Sequence, residues 1–214
     1  MKNPATEASK APYYVDPMER DEEKSDKISL LYPTPVYSSK VDNYEEIQEE
    51  IAYSLENGVV FNMNDVWASH YLSDITFELN VIEHFKLHKF MTELAVHIQE
   101  YCKYLNHMGN CKIAQSWYSL FNPGNYGHVH HHAWADISGV YYHKTNGEDG
   151  NLFFDSPNPH LSTTRLYQNL TPRHQVKPVQ GHLLLFPGWL MHGIQTNTTQ
   201  NERISLSFNI EFER

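Results

Sequence analysis

Apolar residues follow a helical period in the first half of the chain. Ile47, Ile51 and Leu55 recur every four residues behind an acidic start, which predicts a helix over 42–57. A longer pattern of the same period predicts a second helix over 82–105. The apolar side of that helix carries Phe85, Leu87, Met91, Leu94, Ile98 and Tyr101.

The pattern changes to short apolar runs separated by Gly, Pro and Asn from residue 112 onward. These runs are rich in Tyr, Phe, Val, Ile and Leu, which favours strands. Strands are predicted at 113–121, 137–143, 151–154, 173–177, 182–186 and 205–212, with an earlier one near 28–37. Helices followed by about eight strands are typical of an α+β fold, mainly β, that ends in a barrel or jelly roll. We expect the N-terminal helices to pack on one face of that barrel.

The chain is long enough for one well-packed domain. Residues 1–27 are polar with scattered prolines, so we expect a flexible tail followed by a single domain over 28–214, its barrel at about 112–214. Residues 58–81 and 156–175 read as loops that could shape a substrate entrance.

Composition narrows the class of partner. Sixteen Lys and Arg against 26 Asp and Glu give a net charge of −10, so nucleic-acid binding is not expected. The chain shows no apolar stretch long enough to span a membrane and no secretory signal. Cys102 and Cys111 lack metal or redox spacing, which fits a reducing cytoplasm.

Five residues, 128–132, contain four histidines. In an extended strand His128, His130 and His132 share one face, and His131 points the other way. His192 ends another apolar segment and is the best candidate for a third ligand from a facing strand. Neutral imidazole suits iron, zinc, copper or nickel.

The spacing of these histidines resembles the motifs of cupin-type double-stranded β-helices. Gly124, His130, His132 and Asp136 follow the first motif, with Asp in place of the usual Glu. The second motif appears as Gly181, Pro187 and His192, with Trp189 at a position where glycine is usual.

Two sets of metal ligands are compatible with the sequence. The set is either His130, His132 and His192, or two histidines with Asp136. We favour the three histidines, with Asp136 or His128 as the partner that fixes an imidazole tautomer.

Arg203 and Ser205 begin the final strand, eleven residues after His192, and share one strand face. A guanidinium fork and a hydroxyl side by side can hold a carboxylate.

This motif set resembles the 2-oxoglutarate and iron(II)-dependent dioxygenases, in particular a branch found in bacteria and their phages. The resemblance rests on 138–142 (SGVYY), 186–192 (FPGWLMH), 203–209 (RISLSFN) and the N-terminal stretch 31–37 (LYPTPVY). Members of the wider superfamily usually bind iron through His-x-Asp or His-x-Glu and a distal His, whereas here the residue two places after His130 is His132.

The resemblance implies an enzyme, a cytoplasmic oxidoreductase. Iron(II) would bind at His130, His132 and His192, and the cosubstrate 2-oxoglutarate at Arg203 and Ser205, with Tyr142 beside it. Oxygen would be consumed, succinate and CO2 released, and a small-molecule or protein substrate hydroxylated. Tyr118, Tyr126, Tyr142 and Trp189 are candidate pocket walls. A homodimer is compatible with the resemblance, but the sequence identifies no interface.

Two other classes of function stay open. A three-histidine cupin-type metalloenzyme would use no keto acid, and Arg203 would then bind the substrate's own carboxylate. A non-catalytic β-helix would bind a metal or ligand for a structural or sensory purpose.

Overall fold

A computed structural model of the protein describes residues 32–63, 69–73, 80–158, 160, 163 and 173–213. The segment from Val36 onward is one compact unit, to which the following description applies. The predicted tail, 1–27, lies outside the described residues.

The described strands form two antiparallel sheets. The larger sheet has the order β1-β9-β6-β11-β4-β3-β2, and the smaller has the order β5-β10-β7-β8. The strands are β1 Tyr37–Lys40, β2 Phe61–Met63, β3 Tyr71–Ser73, β4 Cys111–Phe121, β5 Gly127–His130, β6 Ile137–Lys144, β7 Leu152–Asp155, β8 Arg173–Val176, β9 His182–Pro187, β10 His192–Ile194 and β11 Arg203–Phe212. The helices are α1 Tyr44–Glu56, α2 Val81–His84 and α3 His88–Tyr104. This is the mainly β jelly roll that the sequence predicted.

The helices cover one face of the larger sheet. Ile47 and Ile51 of α1 and Phe90 of α3 are buried against Leu206 and Phe208 of β11. Each such side chain contributes on the order of 1.5–3 kcal/mol through the hydrophobic effect. The predicted packing of the helices on one face is therefore confirmed.

A second, smaller core lies between the two sheets. Residues alternate along β6 and β9, so that Val140, Tyr142, Leu184 and Phe186 face inward while their neighbours join the helical side. Leu152 and Phe154 of β7 close this core from the smaller sheet. The inner faces of both sheets therefore meet in this second core.

The helix predicted over 82–105 is two helices. Residue Lys86 adopts a left-handed conformation with φ 53°, and the amide of Leu87 donates to the carbonyl of Ile82 over 2.9 Å. These are the features of a Schellman termination. The apolar period continues through the break because Leu87 and Phe90 are buried on the same side as Ile82.

Two other predictions of local structure were wrong. The strand predicted near 28–37 is contradicted over 32–36, which are not in a strand, and β1 begins at Tyr37. Residues 28–31 lie outside the described residues. Residues 58–81, predicted to be a loop, include β2 and β3, which extend the edge of the larger sheet beside β4. Three-residue strands are too short to show a periodic pattern.

The described helices include none that is long and apolar enough to span a membrane. Cys102 and Cys111 are both free thiols.

Candidate metal centre

Three histidines converge where β5 pairs with β10. His130 is the last residue of β5, and His192, the first residue of β10, lies opposite it in the antiparallel pair. His132 follows two residues after β5 ends. One ring nitrogen from each of the three lies within 4.8 Å of the others, so small ring rotations bring all three onto one ion.

His130 and His192 carry the same hydrogen bond. Nδ1 of His130 lies 2.8 Å from the carbonyl oxygen of His128, and Nδ1 of His192 lies 2.8 Å from that of Leu190. A carbonyl oxygen only accepts, so each Nδ1 carries the proton and donates. The lone pair of each ring is therefore on Nε2, the atom that a metal would bind.

His132 is held by a turn rather than by strand pairing. Its amide donates to the carbonyl of Gly188 over 2.7 Å, which fastens the turn after β5 to the turn after β9. A side chain at Gly188 would collide with the carbonyl oxygens of His132 and Ala135, so only glycine permits this approach. The position of His132 thus depends on two turns from different strands.

The ring of His132 has two neighbours. The indole of Trp117 stacks on it with centroids 5.6 Å apart and planes 4° from parallel. Nδ2 of Asn209 lies 2.8 Å from its Nδ1, and Asn209 is completely buried.

The three histidines are neutral at physiological pH. Burial is the main cause that lowers their pKa values, to about 4 for His132 and about 3 for His192, and the neighbouring His130 lowers both further. The pKa of His130 is also lowered, again mainly by burial. Neutral rings keep the lone pairs that a metal needs.

A cavity of about 560 Å³ lies beside the histidines. That volume is in the range of small-molecule sites. Its described lining is mostly apolar and aromatic, with Met63, Leu72, Trp117, Phe121, Val140, Leu152, Phe186, Ile194 and Phe208 among the contributors. Arg203 is the only lining residue among those described that carries a permanent charge.

Arg203 is fully buried at this cavity. Its Nη1 donates to the carbonyl oxygen of Gly150 over 2.8 Å, and its guanidinium lies between the rings of Phe121 and Tyr142, 5.2 and 5.0 Å from their centroids. Burial lowers the pKa of Arg203, while Tyr142 and Asp149 oppose the shift. Its Nε and Nη2 have no hydrogen-bond partner among the described residues.

Ser205 and Tyr142 lie directly opposite each other on β11 and β6. The hydroxyl groups of both are buried, and neither has a hydrogen-bond partner within the described part of the chain. With Arg203 they form a group of unpaired donors at one end of the site, and a buried donor without a partner costs about 1–3 kcal/mol.

The other candidates from the sequence lie elsewhere. His128 is exposed, and its main-chain carbonyl oxygen accepts from Nδ1 of His130. Asp136 is exposed, and its Oδ2 accepts from the amide of Phe212 over 2.8 Å. Neither belongs to the described histidine group. His131 is exposed and lies outside the described group.

The predicted pocket walls were wrong. Tyr118 belongs to the helical core and bonds to Ser54, because its neighbour Trp117 takes the cavity side of β4. Tyr126 and Trp189 are largely exposed, and Tyr142 contacts Arg203 instead of lining the cavity.

Sequence reasoning missed two residues of the site. Asn209 was treated only as part of a motif, although its even spacing from Arg203 on one strand could have placed it on the same face. His70 lines the cavity and stacks on Phe121 with centroids 4.6 Å apart and planes 6° from parallel. Burial is the main cause that lowers its pKa to about 4. It lies sixty residues before His130, in a stretch read as a loop, and no local pattern marked it.

Residues 115–209 match the sequence family described as "Putative 2OG-Fe(II) oxygenase". Comparison with curated proteins finds no match.

Solved structures share the fold at low sequence identity. The non-heme alpha ketoglutarate dependent epimerase SnoN from nogalamycin biosynthesis is 16% identical, with a TM-score of 0.60 over 84% of this chain and 79% of its own. A 2OG-Fe(II) oxygenase family oxidoreductase from Burkholderia pseudomallei is 12% identical, with a TM-score of 0.60 over 81% and 84%. A Pseudomonas putida prolyl-4-hydroxylase is 13% identical, with a TM-score of 0.54 over 84% and 94%.

Family and fold together indicate an oxidoreductase of the 2OG-Fe(II) oxygenase type. The resemblance predicted from the motifs is confirmed: the fold is the double-stranded β-helix of 2OG-Fe(II) oxygenases, and residues 115–209 carry the sequence pattern of that family.

Proposed function

We propose that the protein is an iron(II)- and 2-oxoglutarate-dependent dioxygenase that hydroxylates a small-molecule or protein substrate. In this reaction 2-oxoglutarate and O2 are consumed, and succinate and CO2 are released. Iron is held by His130, His132 and His192, and the far carboxylate of 2-oxoglutarate by Arg203 with Ser205 and Tyr142.

Arg203 is the observation that carries this proposal. A buried guanidinium is costly unless it is paired, and its described partner is a single neutral carbonyl. Asp149 attracts it electrostatically, but the Asp149 carboxylate accepts hydrogen bonds from Thr145 and from the amide of Asn146. The remaining donors, Nε and Nη2, form the flat fork that a carboxylate binds in bidentate fashion. An anionic ligand at this end of the cavity would pair with these two donors of Arg203.

The histidine group suits iron(II). Its described donors are three neutral imidazoles, and imidazole is a good ligand for divalent iron. Three protein ligands would leave coordination positions for a keto acid and for oxygen. When bound, the iron centre supplies the oxidising chemistry, in which the keto acid is the source of two electrons.

The chain itself orients the reactants and excludes water. Arg203 and the histidines lie at the same apolar cavity, so a keto acid held by one end at Arg203 can direct its other end towards the histidines. Phe186 packs edge-on against His192 with centroids 4.9 Å apart and limits solvent on that side. Trp117 and Phe208 provide further apolar wall.

The cavity suggests what the substrate looks like. The described wall offers amides at Asn62 and Gln115 and apolar contact at Met63 and Leu72, which suits a substrate portion that is neutral and partly apolar. Nucleic acid is not expected, since the net charge is −10. The cytoplasmic location and the homodimer stay predictions.

One observation favours the three-histidine enzyme that uses no keto acid. The described ligand group contains no carboxylate, unlike the usual facial triad of the superfamily. In that alternative Arg203 would bind the carboxylate of the primary substrate instead.

Oxygen-dependent turnover of 2-oxoglutarate tests the proposal. We expect iron(II)-loaded protein supplied with ascorbate, which provides the two electrons that the missing substrate would give, to convert 2-oxoglutarate to succinate slowly. Arg203→Met should lose this reaction at the same cosubstrate concentration. Arg173→Met is the matched control, because Arg173 is an exposed arginine paired with Asp155 outside the cavity. Succinate formation that is equal in wild type and Arg203→Met would exclude the assigned role of Arg203. Iron-loaded wild type that forms no succinate would favour the alternative.

A further inference from the structure

Asn209 stands in direct contact with the one histidine of the group whose proton is not fixed by a main-chain carbonyl. Its amide lies 2.8 Å from Nδ1 of His132, and the side chain is completely buried. His130 and His192 instead donate to carbonyl oxygens of their own chain segments. His132 therefore depends on a side chain to fix which ring nitrogen carries its proton.

A metal at His132 requires a particular tautomer. Because Nδ1 faces Asn209, the metal must bind Nε2, which then cannot carry a proton. The neutral ring must hold its proton on Nδ1, and that N–H needs an acceptor. The amide oxygen of Asn209 is the acceptor that this side chain can offer.

Ser138 allows the amide to present its oxygen. In the structure Nδ2 of Asn209 faces His132, and the Ser138 hydroxyl donates to Oδ1 over 2.8 Å. Turning the amide by half a revolution exchanges oxygen and nitrogen. The hydroxyl of Ser138 can then accept from Nδ2, because a hydroxyl both donates and accepts. Both partners are satisfied in either orientation.

Strand geometry fixes this arrangement in place. Asn209 on β11 is the register partner of Ser138 on β6, and Trp117 on β4 stacks on the face of the His132 ring. Asn209 and Arg203 are six residues apart on the same face of β11, roughly 20 Å along the strand. One strand thus reaches both ends of the proposed site.

We propose that Asn209, supported by Ser138, is a positioning residue that fixes the metal-binding tautomer of His132 by accepting its Nδ1–H through the amide oxygen. This inference rests on the proposed function, since it requires His132 to be a ligand. Partners of this kind typically change metal affinity by about 10–100-fold.

Substitutions at Asn209 separate the role of its amide oxygen as an acceptor from that of its amide nitrogen as a donor. Asn209→Asp keeps an acceptor and loses the donor, so zinc and cobalt(II) affinity should stay within about threefold of wild type or increase. Asn209→Ala loses both, and we expect affinity to fall by about 10–100-fold. Ser138→Ala leaves the amide in place and should cause a smaller loss. Asn197→Ala is the control for losing a buried asparagine, because the Asn197 side chain bonds to the carbonyls of Phe121 and Asn201 and to Thr199, and not to the described histidine group. It should lower the unfolding temperature without a matching loss of metal affinity.

Nitrogen NMR of histidine-labelled, zinc-loaded protein reads the tautomer directly. We expect the Nδ1 shift of His132 to be that of a protonated nitrogen, as for His130 and His192, in wild type and in Asn209→Asp. An unprotonated Nδ1, or Asn209→Asp as weak as Asn209→Ala, would overturn the acceptor role.

His132→Ala distinguishes failure of the role of Asn209 from failure of the assignment of His132 as a metal ligand. If it loses metal while Asn209→Ala keeps full affinity, only the Asn209 inference fails. If His132→Ala also keeps full affinity, the ligand assignment fails and the Asn209 role fails with it.

Discussion

His192 lies directly opposite His130 across the β5–β10 pair, and each ring donates from Nδ1 to the carbonyl oxygen two residues earlier in its own chain. The two strands thus present equivalent imidazoles, and the Nδ1 of each ring is held by the backbone of its own chain segment. Strand pairing sets their separation, and the backbone sets their tautomers.

Replacing either of these histidines should remove the metal and spare the fold. We expect His130→Ala and His192→Ala to bind iron(II) more than about 100-fold more weakly, because each loses a direct ligand. The unfolding temperature of the metal-free variants should change little, since the main core lies on the helical side of the larger sheet. Metal analysis after dialysis measures the loss. His131→Ala is the control, because His131 is exposed and outside the group; stoichiometric iron in either ligand variant would contradict the assignment.

Arg203→Met should separate stability from cosubstrate binding. Replacing a buried, poorly paired charge with an apolar side chain of similar length is often neutral or stabilising, so we expect the metal-free variant to be as stable as wild type or about 1 kcal/mol more stable. Binding of 2-oxoglutarate should weaken on the order of 100-fold, from the loss of two charge-assisted hydrogen bonds. Thermal unfolding with and without 2-oxoglutarate measures both effects. A variant that is strongly destabilised but binds 2-oxoglutarate normally would show that Arg203 is structural.

Gly188→Ala should disturb His132 through the backbone. The added methyl group would meet the carbonyl oxygens of His132 and Ala135, so the two turns must move apart. We expect a loss of stability of about 2 kcal/mol or more and weaker metal binding. Gly109→Ala is the control, because its new methyl group meets chiefly the side chain of His107. Equal effects of the two substitutions on metal affinity would contradict the role given to the turn.

Stability of the metal-free protein should fall in mild acid. Burial lowers the pKa of His70, His132 and His143 to about 4 and that of His192 to about 3, below the ordinary value of 6.5. Between these values the unfolded chain binds more protons than the folded one, so the free energy of unfolding rises with pH. The stabilisation is fully present above about pH 6.5 and is lost as pH falls towards 4.

Urea unfolding at pH 7.5, 6 and 5 measures that slope. His143→Leu removes one such group away from the ligand group, and we expect a shallower dependence on pH in this variant. A slope unchanged by His143→Leu would show that this ring does not titrate as its burial implies.

The sequence indicated the architecture well, because long periodic patterns report burial. Strands β4, β6, β7, β8, β9 and β11 and helix α1 have the predicted type and nearly the predicted bounds. The break at Lys86 was not predicted, because the buried positions continue in phase across it. Strands β2 and β3 were missed because three residues carry no period.

Spacing along the sequence was enough to predict which histidines form the group, but not how each one is positioned. The pattern of His130, His132 and His192 pointed to one cluster, and Arg203 to a carboxylate site nearby. The pattern gave the wrong geometric reason for His132, which lies past the end of β5 and is positioned by the turn at Gly188. The contacts of Asn209 and His70 arise only from tertiary packing, and spacing in sequence does not report them.

Anaerobic titration of the iron(II)-loaded protein with 2-oxoglutarate tests the central claim most directly. Chelation of a keto acid by iron(II) produces a weak visible charge-transfer band, and the proposed site predicts a saturable band in wild type. The band should need far more 2-oxoglutarate in Arg203→Met and should be absent in His132→Ala. Stoichiometric iron with no band in wild type would contradict the 2-oxoglutarate site and favour the three-histidine enzyme that uses no keto acid.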